Sequence, residues 1–267
     1  MYSACLVFFQ IFGMHPISIV GVKNNNFVIY ALAALNLMLI FGNISFMIIE
    51  EDYMFYSKSA IGKINDILLY GSLLCAHLSI VIESFMQRKY FIQYWSFYGK
   101  IVSFNKKKQS VASIWYKGFL IKFTLFIAFT LAIEVTVISR IYYEDSQWTN
   151  FWCSEIFSLV ATRVRNLQHV FYIDAIFFTL QDLNGRIRNL SLWTKAVGDK
   201  KFSQKHFYSR ISEMKEEFRS LMEMIICVNR IFRMSQVFNI AQQFIEIFAE
   251  LYWIYAFAMS ADFIWGE

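Results

Sequence analysis

FVIYALAALNLMLIFGNISFMII, residues Phe27 to Ile49, carries no charged side chain; Lys23 lies just before it, and Glu50, Glu51 and Asp52 follow at once. As a helix this stretch measures roughly 35 Å, enough to cross a hydrocarbon layer of about 30 Å with some tilt. The rest of the chain repeats the pattern. Apolar residues make up 57% and charged residues 17% of the 267, against roughly 45–50% and 25% in soluble domains. A soluble chain of this length would struggle to hide 29 Phe and 15 Tyr. A single proline, Pro16, and long apolar runs favour helices over a barrel, whose strands need alternating segments of about 10 residues.

Four further spans follow from the apolar runs, at about 67–82, 118–139, 151–182 and 231–261. The second leaves at Glu83, and Gln87, Arg88 and Lys89 follow it; their long side chains can reach back to headgroups. Lys122 can snorkel from the third span in the same way. The fourth is expected as one long helix from Phe151 to Asp182, and Met214 to Ala261 as a second long helical stretch. Both are too polar for clean lipid-facing spans and are expected to pack on protein and extend into the cytosol. Ser110–Tyr116 and Ser191–Phe207 read as loop-like. The fold class is therefore all-α: one multi-pass transmembrane domain over 1–267, with about five spans.

Charge orients these spans. The segments Glu83–Lys117 and Leu183–Ser220 hold sixteen Lys and Arg, while the segments on the opposite side hold three: Lys58, Lys63 and Arg140. Basic loops stay in the cytosol, so the N-terminus is expected inside and, after five crossings, the C-terminus outside. A G-protein-coupled receptor has the opposite orientation. The net charge of +5 is explained by this asymmetry, so it gives no reason to invoke nucleic acid.

Enzyme signatures are missing: there is no H-E-x-x-H, G-x-S-x-G, P-loop or dinucleotide fingerprint. Cys5, Cys75, Cys153 and Cys227 are scattered, and His15, His77, His169 and His206 share no ligand spacing. No catalysis, metal or cofactor is expected. Met1–Gly13 is apolar but lacks a basic leader and a small-residue cleavage site, so it does not read as a cleaved signal peptide. Asn43-Ile-Ser45 and Asn189-Leu-Ser191 match the glycosylation triplet by chance, one inside a span and the other cytosolic.

Polar residues inside apolar helices carry the functional signal. Gln236, Asn239, Gln243, Glu246 and Glu250 recur at intervals of 3, 4, 3 and 4 on one helical face. Two glutamates on that face argue against lipid exposure, since a charge at the bilayer centre costs at least about 2.5–3.5 kcal/mol. Two readings follow. One is interhelical hydrogen bonding, each contact worth about 0.6 kcal/mol on average. The other is a hydrated pocket in the outer half of the membrane, lined by Gln243, Glu246 and Glu250 with Trp253 near its mouth, where aromatic and polar groups suit a small organic ligand. Glu134 and Glu155, both towards the outer side, are candidates for the same pocket. His77, Arg163, Asn166 and Asp174 are candidates, with Asn239, for interhelical pairing. Arg163 and Arg165 stand two apart on different faces, which excludes a voltage sensor.

Taken together, these segments resemble the insect gustatory receptors. Phe8-Phe9-Gln10-Ile11-Phe12-Gly13-Met14-His15-Pro16 is similar to the family's apolar-Gly-x-x-Pro lead into its first span, and Ile231–Gln243 resembles its fifth segment. The inside N-terminus, basic second cytosolic loop and polar-studded fourth helix also fit, over nearly the whole chain. The resemblance implies a seven-span subunit of a ligand-gated cation channel, homo- or hetero-tetrameric with other receptor subunits, that binds a small-molecule tastant among its membrane helices in the plasma membrane. The family's last span carries Thr-Tyr, five mostly apolar residues, then Gln-Phe; that motif is not present here. The expectation is therefore a form truncated after the fifth span. An olfactory receptor of the same superfamily, or a non-conducting accessory subunit assembling with full-length relatives, are the alternatives. A transporter is disfavoured by the lack of inverted repeats and paired broken helices. The glutamates would suit a basic bitter ligand, and the Gln and aromatic residues a sugar.

Overall fold

Helix accounts for all the regular structure among the described residues, which in this computed structural model are 3–17, 26–49, 60–103, 108–144, 146–197 and 202–265. In order they form α1 (Ser3–Ile11), α2 (Asn26–Ile49), α3 (Ala60–Met86), α4 (Arg88–Ser103), α5 (Lys108–Glu144), α6 (Ser146–Val197), α7 (Phe202–Ile231) and α8 (Arg233–Trp265). Of the counted basic residues Lys58, Lys106, Lys107, Lys200 and Lys201 lie outside the described residues, as do Lys23 and Glu50–Asp52 that flank the first apolar stretch.

By length and composition, three helical stretches among the described residues can cross a bilayer: Asn26–Ile49, Ala60–Met86 and Tyr116–Ile133. They differ in how much of themselves they bury. α2 buries only Ile29, Ala33, Asn36 and Ile40, one narrow stripe at helical spacing. Its other faces expose Phe27, Met38 and Ile49, each more than 70% open, as a lipid-facing helix would. α3 is the central post, packed on α2, α6 and α8. It buries half of its apolar window, against 17% for the other two.

The chain enters through a turn that its sequence dictates. α1 ends in a Schellman motif, in which Met14 N–H donates to Phe9 O and Gly13 N–H to Gln10 O, both at 2.9 Å. Gly13 sits at φ +69°, the left-handed region that a side chain enters at a cost. Polar side chains then fasten the turn to the bundle. Asn36 of α2 donates to Ile11 O (3.0 Å), Gln10 to Ile17 O (2.8 Å) and Gln168 of α6 to Met14 O (3.0 Å). Asn36, fully buried in a span whose other faces are open, thus caps the last carbonyl of α1 at Ile11.

Aromatic residues fill the main core, which gathers α1, α4, α6 and α7 around Phe9, Phe91, Phe171 and Tyr172. Phe119–Phe171 (4.9 Å), Phe9–Phe171 (5.9 Å) and Tyr94–Tyr172 (4.6 Å) meet edge to face. Each such pair adds about 0.5–1.5 kcal/mol beyond area burial. A smaller cluster of Ile40, Tyr70, Leu74 and Val81 joins α2 to α3.

Several boundaries differ from the sequence reading. The helices that carry the second and third apolar runs extend further, over Ala60–Met86 and Lys108–Glu144. Ser110–Tyr116 is helical, and so are the described residues of Ser191–Phe207, residues 198–201 lying outside the described set. Polar composition had suggested loops there, but continuous backbone bonding carries a polar helix once it packs on neighbours. α6 spans 52 residues, about 78 Å, and exceeds any bilayer. The expected single stretch Met214–Ala261 is interrupted at Phe232, for a reason found in the site.

Candidate functional site

Arg165 of α6 is fully buried where α3, α6 and the α7–α8 joint meet. Its guanidinium uses every side. Nε donates to Ser235 Oγ (3.0 Å), and Nη1 to Gln168 Oε1 (2.7 Å) and Ser84 Oγ (3.4 Å). Nη2 donates to Glu83 Oε2 (3.2 Å) and Ile231 O (2.8 Å). Its face lies over the Phe232 ring at 4.2 Å, a cation–π contact. Such saturation is what a buried charge requires.

Glu83 completes the exchange. Its carboxylate accepts the backbone N–H groups of Met234 (2.5 Å) and Ser235 (2.8 Å). In a continuous helix Ser235 N–H would donate to Ile231 O. Instead Glu83 takes that donor and Arg165 that acceptor, and Glu83 also holds Met234 N–H, which a continuous helix would pair with Arg230 O, so the ion pair is inserted into successive rungs of the helix. Around it the ladder continues, with Phe232 N–H to Val228 O and Gln236 N–H to Phe232 O, both at 3.1 Å. An interaction across the bundle therefore breaks the helix, where the local sequence offers no glycine or proline.

Away from this joint, α3 and α6 run parallel, as the pairs His77–Ser158 and Glu83–Arg165 require, and α8 leaves the joint from Ser235. One turn out, Asn166 Oδ1 accepts from Gln236 Nε2 (3.4 Å) and Asn239 Nδ2 (3.3 Å). Asn239 Oδ1 is buried without a hydrogen-bond partner. Next, His77 Nδ1 meets Ser158 Oγ at 3.1 Å, and the ring lies 5.5 Å from Phe157, on which Phe12 stacks at 5.3 Å. His77 Nε2 is likewise buried and unpartnered. Gln242, 4% exposed, donates to Glu246 Oε2 at 2.8 Å. Glu155, about 15 Å along α6 from Arg165, is also 4% exposed.

The sequence candidates thus fall into groups. His77 meets Ser158 across α3 and α6, and Asn166 meets Asn239 across α6 and α8, while Glu155 is buried on α6 and Glu246 half-buried on α8. Asp174 instead pairs with Lys122 of α5 at 3.4 Å, and Arg163 is half-buried. Trp253 is half-buried beside Tyr252, their rings 5.5 Å apart. Gln243 and Glu250 are exposed on the single chain, because the face of α8 that packs inward runs through Ser235, Asn239, Gln242 and Ala249. The side chain of Glu134 lies outside the described residues. Sequence reasoning had not joined Glu83 to Arg165. Their opposite charges on neighbouring apolar helices were the available signal.

On the other side of Arg165, Tyr172 links α6 to α4 and the N-terminal turn. Trp95 Nε1 donates to Tyr172 Oη (3.3 Å), which leaves the phenol proton to reach His15 Nδ1 (3.3 Å). Burial pushes the His15 imidazole down to about 3, so it is neutral and can accept. Tyr94 Oη donates to Tyr172 O at 3.1 Å.

A family model described as 7tm Chemosensory receptor matches residues 2–265. No curated protein and no solved structure matches the chain.

Proposed function

The chain belongs to the 7tm chemosensory receptor family, a family of multi-pass helical membrane receptors rather than enzymes, and on that premise we propose that it is a gustatory receptor subunit responding to a small-molecule tastant. Within this reading the N-terminus is cytosolic, on the sixteen-to-three charge asymmetry, and five spans enter the plasma membrane. The subunit takes part in a tetrameric ligand-gated cation channel, as the resemblance to gustatory receptors implies.

One observation carries the ligand site. His77 Nε2 and Asn239 Oδ1 are buried without hydrogen-bond partners, the first where α3 meets α6 and the second where α8 meets α6. With Nδ1 accepting from Ser158, His77 presents an N–H donor at Nε2, and Asn239 presents an acceptor. A neutral ligand bearing hydroxyl groups supplies both missing partners. Gln242 and Glu246 extend the polar lining outward, with Trp253 beyond.

The test is electrical. Cells expressing the chain, alone and with other family subunits, are expected to give cation currents to a member of a sugar and bitter-compound panel. His77→Leu and Asn239→Leu are each expected to raise the half-maximal concentration about tenfold, the value of one buried hydrogen bond. Silence across the panel, or responses indifferent to both changes, would overturn the reading.

A further inference from the structure

A second polar feature lies outside the seam, where the apolar helices end. α3 stops at Met86, 71% exposed, and α4 begins at once with Arg88, Lys89 and Tyr90. Arg88 donates to Tyr30 Oη (2.6 Å) and Asn26 Oδ1 (3.3 Å) at the start of α2. Two apolar spans therefore begin and end in one plane, which marks it as a bilayer edge.

At that plane two cations crowd one phenol. Lys89 Nζ lies 4.9 Å and Arg230 Cζ 5.0 Å from the centroid of the Tyr90 ring. Arg230 Nη1 also donates to Tyr90 Oη. Both cations are exposed, and exposed Arg233 follows three residues later, across the α7–α8 joint. Among the described residues none of the three is ion-paired to a carboxylate. The hydrogen bond from Arg230, together with the charges of Arg230 and Lys89, holds the Tyr90 phenol below its ordinary value. The first backbone donors of α8 are already taken by Glu83, so the side chains alone are open to an anion.

We propose that Lys89, Tyr90, Arg230 and Arg233 form a site for the phosphorylated headgroup of an anionic membrane lipid. The chemistry is that of a multiply charged phosphate. Arg230 offers a planar fork that matches phosphate oxygens, Lys89 a point charge and Tyr90 a hydroxyl. A soluble inositol phosphate has the same headgroup chemistry, but the position at the end of α3, beside exposed Met86, favours a ligand whose acyl chains enter the bilayer. Juxtamembrane basic clusters attract such lipids in general. Here two cations are already gathered on one ring. The site rests on the membrane reading of α2 and α3 and is independent of the tastant seam.

Binding to the purified full chain in neutral detergent decides it, with three probes: dioctanoyl phosphatidylinositol 4,5-bisphosphate, dioctanoyl phosphatidylcholine and soluble inositol trisphosphate. The bisphosphate lipid is expected to bind at least about tenfold more tightly than either other probe. Lys89→Gln with Arg230→Gln weakens it about tenfold or more, and Lys89→Arg with Arg230→Lys retains it. Lys215→Gln, about 22 Å along α7 from Arg230, leaves it unchanged. Equal binding of phosphatidylcholine, or indifference to the charge-removing pair, overturns the site. Soluble headgroup binding as tight as the lipid overturns the lipid assignment. If the double variant loses its monodisperse gel-filtration peak, exposed Arg233→Gln carries the test. A roughly threefold weakening supports the site and unchanged binding overturns it.

Discussion

Glu83 and Arg165 stand 3.2 Å apart, each no more than 3% exposed, and between them they hold both ends of a backbone hydrogen bond that α7 and α8 do not make. Glu83→Gln removes one charge and leaves the other buried, a loss of about 3–5 kcal/mol. The expected result is a markedly lower melting temperature of the detergent-purified chain, followed by fluorescence-detected gel filtration. Glu83→Gln with Arg165→Gln should cost less than the two single changes added together, because partners in one network are not additive. Strict additivity would show that the pair is not coupled.

Phe232 sits at the break, beneath Arg165 and 5.7 Å from the Tyr172 ring. Phe232→Leu keeps much of the volume but removes the aromatic face. A loss of about 1–2 kcal/mol is expected from the buried cation–π contact, measured by the same thermal shift. Phe232→Tyr should retain most of that stability if its hydroxyl is accommodated.

At Gly13 the constraint is conformation rather than space. A Cβ there would meet Val81 at 3.6 Å, an ordinary contact, whereas φ is +69°. Gly13→Ala is therefore expected to cost about 1–2 kcal/mol and Gly13→Asn less, since Asn enters the left-handed region more readily. Equal melting temperatures for wild type and Gly13→Ala would refute this account of the turn.

His15 gives the N-terminal turn a pH dependence. Its imidazole is held at about 3 in the folded chain by burial, against roughly 6.5 when unfolded. The unfolded state thus binds the extra proton between these values. The contribution is complete above about 6.5 and is lost as pH falls towards 3, with a slope approaching about 1.4 kcal/mol per pH unit. Thermal melts from pH 7 to 5 should show this slope in the wild type and a shallower one in His15→Gln. Equal slopes would place the acid sensitivity elsewhere.

Periodicity and charge made the all-helical, membrane-crossing character legible, because Phe27–Ile49 admits few other readings. The same signals could not show that Gln242, rather than Gln243, faces the neighbouring helices. A shift of one residue turns a helix by only 100°, and both faces of α8 carry polar side chains. Nor could they reveal the break at Phe232, since Ile231-Phe232-Arg233 is locally good helix. The cause lies about 150 residues away at Glu83. Charge at a span's end read as an exit signal when it was a cross-bundle cap. Asn166 and Asn239 are joined by a hydrogen bond across α6 and α8.

The interrupted rung has a further implication for motion. Ser235 N–H and Ile231 O would be partners for one another in a continuous helix, so withdrawing Glu83 and Arg165 need not strand either group. Their release would, however, leave two buried charges to be satisfied elsewhere, so α7 and α8 stay two helices, Phe202–Ile231 and Arg233–Trp265, for as long as the ion pair stays buried.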